Sequence, residues 1–119
     1  YLAMTETPWP TEWLRGVLEV CVLAVIDRGP TYGYAISAEL AAAGLGDLKG
    51  GTLYPLLGRC EQAGWVAVEW RVGESGPGRK YYTLTPSGRT ELRGRASRWH
   101  EFVDVTGSLL AASELKEKS

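Results

Sequence analysis

The sequence predicts an α+β fold, a winged helix-turn-helix with an added C-terminal helix for dimerisation. Three segments with apolar residues at helical spacing come first, and two stretches that alternate like β strands follow, around a turn rich in glycine and proline. A last long segment has helical spacing again, and little sequence follows it that would cover its apolar side. We therefore expect a winged helix-turn-helix domain at 11–85, a dimerisation helix at 86–113, and flexible ends at 1–10 and 114–119.

Composition and charge restrict the class of protein. Of the 119 residues, 45% are hydrophobic and 23% are charged, which is typical of a globular domain. The formal net charge of −1 argues against a uniformly basic nucleic-acid coat and is compatible with a local basic patch. The longest apolar run, residues 17–26, contains Glu19 and is too short to cross a bilayer, and we find no signal peptide. We expect a cytoplasmic protein without membrane contact, whose natural chain starts at Met4 after a three-residue remnant.

The cysteine, histidine and carboxylate residues give no indication of catalysis or of a cofactor. Cys21 and Cys60 lie within apolar helical patterns, so we interpret them as small buried side chains. The single histidine, His100, is distant in sequence from both, and the clustered ligands of a metal site are missing. No local signature pairs a histidine with a nucleophilic serine or cysteine. The sequence therefore predicts neither an enzyme nor a bound metal.

The first predicted helix covers residues 12–27, in which Leu14 and Leu18 belong to a helical repeat of apolar residues. Its opposite side is apolar as well, so we expect this helix to be buried on two sides, with a partner subunit as one cover. The Arg-Gly-Pro sequence at 28–30 ends the helix, and Thr31 is the expected N-cap of the second helix.

The third predicted helix carries a proline near its start. A helix leaves its first N–H groups without internal partners, so Pro55 is best tolerated in the first turn. Thr52 is then the expected N-cap, and Gly50-Gly51 let the chain approach another molecule closely. The hydroxyls of Thr52 and Tyr54 can bond phosphates or base edges, and Lys49 adds charge at the same end. We predict that this helix end faces DNA, with plain surface decoration as the alternative.

Two predicted strands, at 65–72 and 79–85, form a hairpin that completes the winged helix. One side of the first strand is expected to face the core through Val66, Val68, Trp70 and Val72. Arg79 and Lys80 stand at the end of the hairpin tip, where a wing would grip backbone phosphates or the minor groove. Between residues 48 and 80, five basic residues outnumber three acidic ones, so the basic patch is small and two copies of it would strengthen binding.

The fourth helix is predicted to start at Thr85-Pro86, an N-cap followed by a proline in the first turn. Its apolar residues form a stripe, which indicates a dimer seam with the first helix. The residues assigned to this interface are Leu14, Leu18, Trp99, Phe102, Val103, Thr106, Leu109 and Leu110. For Trp99 two interpretations stay open, packing in the dimer and a platform on which a planar aromatic effector stacks.

The strings YGYAISAEL, GGTLYPLLGRCEQAGWV and GPGRKYYTLTPSGR resemble the PadR family of bacterial transcriptional regulators in order and spacing. The resemblance covers the chain from about Leu14 to Leu110 and favours the subgroup with one short C-terminal helix. It implies a homodimer that binds an inverted-repeat operator and usually represses transcription until an effector arrives. The family's DNA contacts correspond here to Tyr34, Thr52, Tyr54, Arg79 and Lys80. Trp99 matches a tryptophan that lines a ligand pore at the dimer centre in some members.

From these observations we predict a homodimeric repressor that binds double-stranded DNA, needs no cofactor and responds to a planar aromatic small molecule. The alternative is a winged-helix module that binds proteins and has lost DNA binding. Salt dependence separates the two, because phosphate contacts make affinity fall steeply with ionic strength. An enzyme ranks third, since it would need a catalytic constellation that the sequence does not show.

Overall fold

The computed structural model describes residues 8–73 and 76–118 of the chain. Its elements follow in the order α1 (Thr11–Ile26), β1 (Thr31–Tyr32), α2 (Gly33–Ala42), α3 (Gly50–Gln62), β2 (Val66–Arg71), β3 (Arg79–Leu84) and α4 (Pro86–Lys118). Helices α2 and α3 form the helix-turn-helix, and the β2–β3 hairpin is the wing. The predicted α+β winged helix-turn-helix is therefore confirmed.

The sheet has three antiparallel strands in the order β1-β3-β2, one more than the sequence predicted. The extra strand is only two residues long, too short to show an alternating pattern. Thr31 lies in this strand opposite Tyr82, so the expectation that Thr31 caps α2 is wrong, and the N-cap residue is Tyr32. Pairing with β3, a contact distant in sequence, holds Thr31 and Tyr32 in an extended conformation.

The core lies where α1, α2 and α3 meet the sheet. Its largest fully buried side chains are Leu23, Ile26, Ile36, Leu57, Val22 and Cys60. Leu14 and Leu18, which the sequence assigns to a subunit interface, belong to the same core at 7% and 6% exposure, so the protomer itself buries most of their surface. A helical repeat shows that a residue is apolar and on one face, but not whether that face meets its own chain or a partner. Cys60 is buried as expected, while Cys21 is only half-buried.

Helix α3 begins two residues before the predicted cap. Lys49 is the N-cap residue and makes no side-chain capping bond, while the N–H of Thr52 donates to the Lys49 carbonyl at 2.9 Å. Pro55 therefore lies in the second turn, where its missing N–H deprives the Gly51 carbonyl of its usual helical donor. The predicted end at Gly64 is confirmed, because this residue has a φ of 81° and follows the last helical turn.

Helix α4 begins as the sequence predicts and ends later. The N–H of Gly88 donates to the Thr85 hydroxyl at 3.0 Å, the N-cap bond, and the hydroxyl donates to the Gly64 carbonyl at 2.7 Å. Gly88 lies so close to the sheet that a Cβ there would be 2.0 Å from the Trp65 carbonyl oxygen. The helix continues to Lys118, past the expected boundary at 113, because the glutamates, leucine and lysines of the tail are good helix formers.

The segment before α1 was expected to be flexible, and its described part makes a specific contact. The indole N–H of Trp9 donates to the Gly44 carbonyl at 2.8 Å, which fixes it against the turn between α2 and α3. The rings of Trp9 and Trp13 lie 6.3 Å apart. Residues 1–7 and 119, including the expected start at Met4, lie outside the described residues.

A cluster of charged side chains connects helices α1, α3 and α4. The Arg95 guanidinium donates to Glu19 and, at 2.6 Å, to Glu91, and it lies 4.7 Å above the Trp65 ring. Glu19 also pairs with Arg59 at 3.7 Å. Partial burial lowers the pKa of Arg95, but its bonds to the two carboxylates raise that pKa by more, so the guanidinium keeps its charge. Helix α3 is thereby linked to both α1 and α4.

Candidate nucleic-acid interface

An open groove of about 470 Å³ lies between the start of α2, the outer side of α3 and the base of the wing. We call it the tyrosine groove; it is lined by Tyr32, Gly33, Tyr34, Tyr54, Gly58, Trp70, Gly78, Arg79, Lys80 and Tyr82. Four of the six predicted DNA contacts share it, namely Tyr34, Tyr54, Arg79 and Lys80. The structure therefore brings together residues that are up to 46 positions apart in sequence.

Two glycines make room for the Tyr54 ring. A Cβ built on Gly33 would lie 2.5 Å from the Tyr54 hydroxyl oxygen, and one on Gly50 would lie 3.3 Å from the ring. Tyr54 thus lies across the N-terminal ends of both α2 and α3 while it stays 55% exposed. Tyr34 beside it is 77% exposed. The glycine at the start of α3 therefore has a local role, because it lets the tyrosine lie flat.

Trp70 is a groove residue that the sequence did not predict. The alternation of β2 put it on the core side with Val66 and Val68, but it is 70% exposed. The hairpin extends past the edge of the core, so the inward side of its outer half faces the groove instead. One signal was present in the sequence: Trp70 pairs with Lys80, and a lysine on the inward side indicates that this side has left the core.

Lys80 contacts helix α3 through an ion pair. Its ammonium donates to a Glu61 carboxylate oxygen at 3.1 Å, and both side chains are partly exposed. This hydrogen bond is the largest cause of the raised pKa of Lys80, ahead of the opposing effect of burial. The wing and α3 are thus joined across the groove by an ion pair that a bound phosphate would have to share.

The outer face of the wing carries a continuous stack of side chains. The Arg79 guanidinium carbon lies 4.4 Å from the centre of the Tyr32 ring, and the Tyr32 and Tyr81 rings are 5.3 Å apart. The Arg71 guanidinium carbon lies 4.3 Å from the centre of the Tyr81 ring. We call these residues the outer wing stack. Glu69 is the carboxylate beside it, 3.3 Å from Arg71.

Two predicted contacts do not lie in the tyrosine groove. Thr52 is exposed on the other side of α3, in a recess of about 200 Å³ next to Arg15 and Arg59. Lys49 is exposed at the N-cap of α3. The two sides of α3 therefore present different chemistry, aromatic rings toward the wing and a hydroxyl with guanidiniums toward α1.

A second, apolar groove of about 690 Å³ runs between α1 and the middle of α4. We call it the tryptophan groove; it is lined by Trp9, Glu12, Trp13, Leu14, Gly16, Val17, Leu45, Trp99, Phe102, Val103, Thr106 and Leu110. Trp99 is half-buried with its ring 5.6 Å from that of Phe102. Trp9 and Trp13 were not predicted here, because they lie at and before the start of α1, where no periodic pattern marks a face.

Within residues 8–73 and 76–118, no three histidine, cysteine or acidic side chains come together in a group that would hold a metal ion. In the same part of the chain, no helix has the length and apolar character needed to cross a membrane.

Comparison with known proteins places the chain among transcriptional regulators. The family model of the PadR-like transcriptional regulators matches residues 22–94. A PadR family transcriptional regulator from Eggerthella lenta DSM 2243 is 42% identical, with 83% of this chain and 86% of that one covered and a TM-score of 0.76. A PadR-like transcriptional regulator from Bacillus cereus is 32% identical, with coverage of 84% and 97% and a TM-score of 0.76. A Streptococcus transcriptional regulator is 34% identical, with coverage of 84% and 98% and a TM-score of 0.73.

Proposed function

The chain belongs to the PadR-like family of transcriptional regulators, not to a family of enzymes, and we propose that it represses transcription as a homodimer on an inverted-repeat DNA operator. The observation that carries the proposal is the tyrosine groove, which sets exposed hydroxyls of α2 and α3 beside the cations of the wing. A DNA backbone is the polyanion that such a surface fits.

Two helix N-termini support the DNA assignment. Helix α2 begins at Gly33 and α3 at Gly50, and the Tyr54 ring lies against both residues. The first N–H groups of a helix and its dipole favour a phosphate at that end. In this proposal Tyr34 and the wing hold phosphates, while Tyr54 and Thr52 on α3 enter the major groove. Lys49 adds charge at the N-cap.

The far half of α4 supports the homodimer. Its exposed apolar side chains include Leu109 at 68% and Leu110 at 64%, with Phe102 and Val103 nearer to α1. Monomeric proteins rarely expose so continuous an apolar stripe. We therefore assign Trp99, Phe102, Val103, Thr106, Leu109 and Leu110 to the dimer interface, and the division into 11–85 and 86–113 becomes a DNA-binding unit and a dimerisation helix. Leu14 and Leu18 are mostly buried within the protomer, and Leu14 also lines the tryptophan groove that the partner would cover.

The tryptophan groove supports release by a planar aromatic effector. Aromatic side chains bind planar ligands by offset stacking of the rings. Trp99 lies in an apolar groove beside Phe102, where a planar ligand could stack on it. The recognition helices of a dimer must stay about 34 Å apart to enter successive major grooves. An effector releases DNA if it prefers a dimer in which this separation differs.

Fluorescence anisotropy with the full chain tests the DNA assignment. The probes are labelled duplexes of about three helical turns, one set selected from a random library by the protein itself and one of fixed unrelated sequence. We expect tighter binding to the selected set and affinity that falls steeply as KCl rises, because phosphate contacts release counterions. Absence of binding to every duplex would instead favour the protein-interaction module.

A further inference from the structure

The register of the wing places two like charges face to face. Arg71 and Arg79 are directly opposite each other in β2 and β3, as the last residue pair before the hairpin loop. Like charges directly opposite each other destabilise an antiparallel pair. Glu69 contacts Arg71 at 3.3 Å, but both side chains are exposed, and an exposed ion pair of this kind contributes little. An anion between the two guanidiniums would relieve the repulsion.

The outer wing stack holds both guanidiniums in place. Arg79 lies on Tyr32, Arg71 lies on Tyr81, and the two rings contact each other. A guanidinium stacked on a ring keeps its N–H groups in its own plane, where they remain able to bond an anion. The stack therefore limits the motion of two long side chains before any ligand arrives, which lowers the entropy lost on binding.

A recess is present at the same place. An open recess of about 480 Å³ is lined by Arg71, Arg79, Tyr81 and the hairpin segments 72–73 and 77–78. The chain at Gly78 lies close to β2, since a Cβ there would be 3.1 Å from the Arg71 carbonyl oxygen. This volume is ample for one tetrahedral phosphate between the two side chains.

We propose that Arg71 and Arg79 together grip one phosphate of the DNA backbone, with Tyr32 and Tyr81 as positioning residues. The proposal rests on the proposed function, because it takes the phosphate from a duplex that the dimer binds. In this proposal the phosphate contact of the wing is made by the cross-strand pair Arg71 and Arg79, and not by the adjacent residues Arg79 and Lys80. Lys80 is on the opposite side of the sheet, where its ammonium already donates to Glu61 at 3.1 Å.

The test measures anisotropy of a duplex of unrelated sequence, titrated with wild-type dimer and with Arg71→Gln over a KCl series. Each phosphate contact contributes roughly 0.9 to the slope of log affinity against log salt, so two copies of the variant should lower the slope by about 1.8. Extrapolated from 1 M salt, this slope difference corresponds to binding roughly 60-fold weaker at about 0.1 M KCl. The matched control is Arg93→Gln, an equal charge change at an exposed position of α4 outside the wing, which should keep the wild-type slope.

Outcomes of this titration separate the proposals. If Arg71→Gln behaves like Arg93→Gln while the wild type binds, the shared phosphate contact of Arg71 and Arg79 is refuted and DNA binding stands. If the wild type binds no duplex at all, both proposals are refuted. Lys80→Gln serves as a third variant, and a larger loss for it than for Arg71→Gln would return the wing contact to the Arg79-Lys80 pair.

Variants of Tyr81 test the positioning role. Tyr81→Leu removes the ring under Arg71 and should weaken duplex binding by roughly threefold, in line with the modest energy of an exposed cation–π contact. Tyr81→Phe keeps the ring and should restore wild-type affinity; equal losses in both variants would refute the role of the stack. Inorganic phosphate at constant ionic strength is the second probe. If inorganic phosphate competes with DNA for the wild type but not for Arg71→Gln, free phosphate also binds between Arg71 and Arg79. Equal competition in both proteins would refute the proposed phosphate site.

Discussion

The two grooves of the protomer differ in how complete they are within one chain. In the tyrosine groove, Lys80 already has a carboxylate partner in Glu61, and Tyr54 lies against Gly33. In the tryptophan groove, large apolar side chains such as Trp13 and Phe102 are exposed. The first surface is thus formed by the folding of one chain, whereas the second is the surface that the proposed dimer would cover. Substitutions in the first should act locally, and substitutions in the second should act on the whole assembly.

The largest effect is expected from charges in the tryptophan groove. Val103→Asp combined with Leu110→Asp buries carboxylates in the proposed interface, which costs far more than the lost apolar contact. The dimer should dissociate, and operator affinity should fall by on the order of 100-fold or more, because the second half-site no longer binds at high effective concentration. Sedimentation velocity and anisotropy measure the two losses.

Ser108→Asp is the matched control for this prediction. It adds one negative charge, half of the change in the double variant, to an exposed position of α4 about half a turn away from the apolar stripe. The control should remain a dimer with wild-type affinity. A stable dimer of the double variant would show that the partner lies elsewhere, and that α4 exposes its apolar residues for some other reason.

The contrast between the grooves also explains how far the sequence could be interpreted. The tyrosine groove was largely predictable, since Tyr34, Tyr54, Arg79 and Lys80 stand in local motifs whose positions follow from helix and hairpin geometry. What escaped was set by contacts distant in sequence. The pairing of Thr31 with Tyr82 created a strand from two residues, and it displaced the cap of α2.

On the apolar side, prediction from the sequence was limited by a different physical cause. Leu14 and Leu18 have the same repeat as interface residues, and only the packing of α1 shows that the protomer itself buries them. Trp70 was assigned to the core because alternation in a strand carries no information on where the core ends. Trp9 precedes every periodic pattern, so its bond to Gly44 could not be inferred from spacing.

An intermediate effect is expected for Gly33→Ala in the tyrosine groove. The new methyl group would lie only 2.5 Å from the Tyr54 hydroxyl oxygen, and the exposed ring can move away at little cost in stability. Affinity for selected duplexes should fall by roughly 10-fold, the effect of losing one good base contact, while the melting temperature changes little. Gly94→Ala is the control, because a Cβ there meets nothing within 4 Å. Unchanged DNA binding in Gly33→Ala would mean that the position of Tyr54 is irrelevant to recognition.

A smaller effect is expected for effector binding to the tryptophan groove. Trp99→Ala removes the ring next to Phe102 and should weaken the binding of planar aromatic dyes by roughly threefold to tenfold, the usual range for a stacking contact. Trp70→Ala removes an exposed tryptophan from the other groove and should leave dye affinity unchanged. Dye affinity is measured by the fluorescence of the dye. An equal drop in both variants would place the dye outside the tryptophan groove.

The smallest effect is expected at Cys60, on the inward side of α3. Burial is the first cause that raises the pKa of this thiol to about 11, and the nearby Glu19 carboxylate adds to it. Because only the thiolate reacts with disulfide reagents, Cys60 should be nearly inert at pH 8 in the folded protein and react only after unfolding. The raised pKa also makes the free energy of unfolding depend on pH. Its contribution to stability is complete below the thiol's ordinary pKa of 9.0 and is lost as the pH rises toward 11.

The same thiol tests whether the two grooves are independent. If the protomer alone builds the tyrosine groove, Cys60 should stay as protected in the monomeric Val103→Asp, Leu110→Asp variant as in the wild-type dimer. Thiol labelling followed by mass spectrometry distinguishes Cys60 from the half-buried Cys21, which serves as an internal reference. Rapid labelling of Cys60 in the monomer would show that α3 loosens when the partner is lost. Recognition helix and interface would then form one cooperative unit, since the ion pairs of Glu19 with Arg59 and Arg95 already connect α3 to α4 through α1.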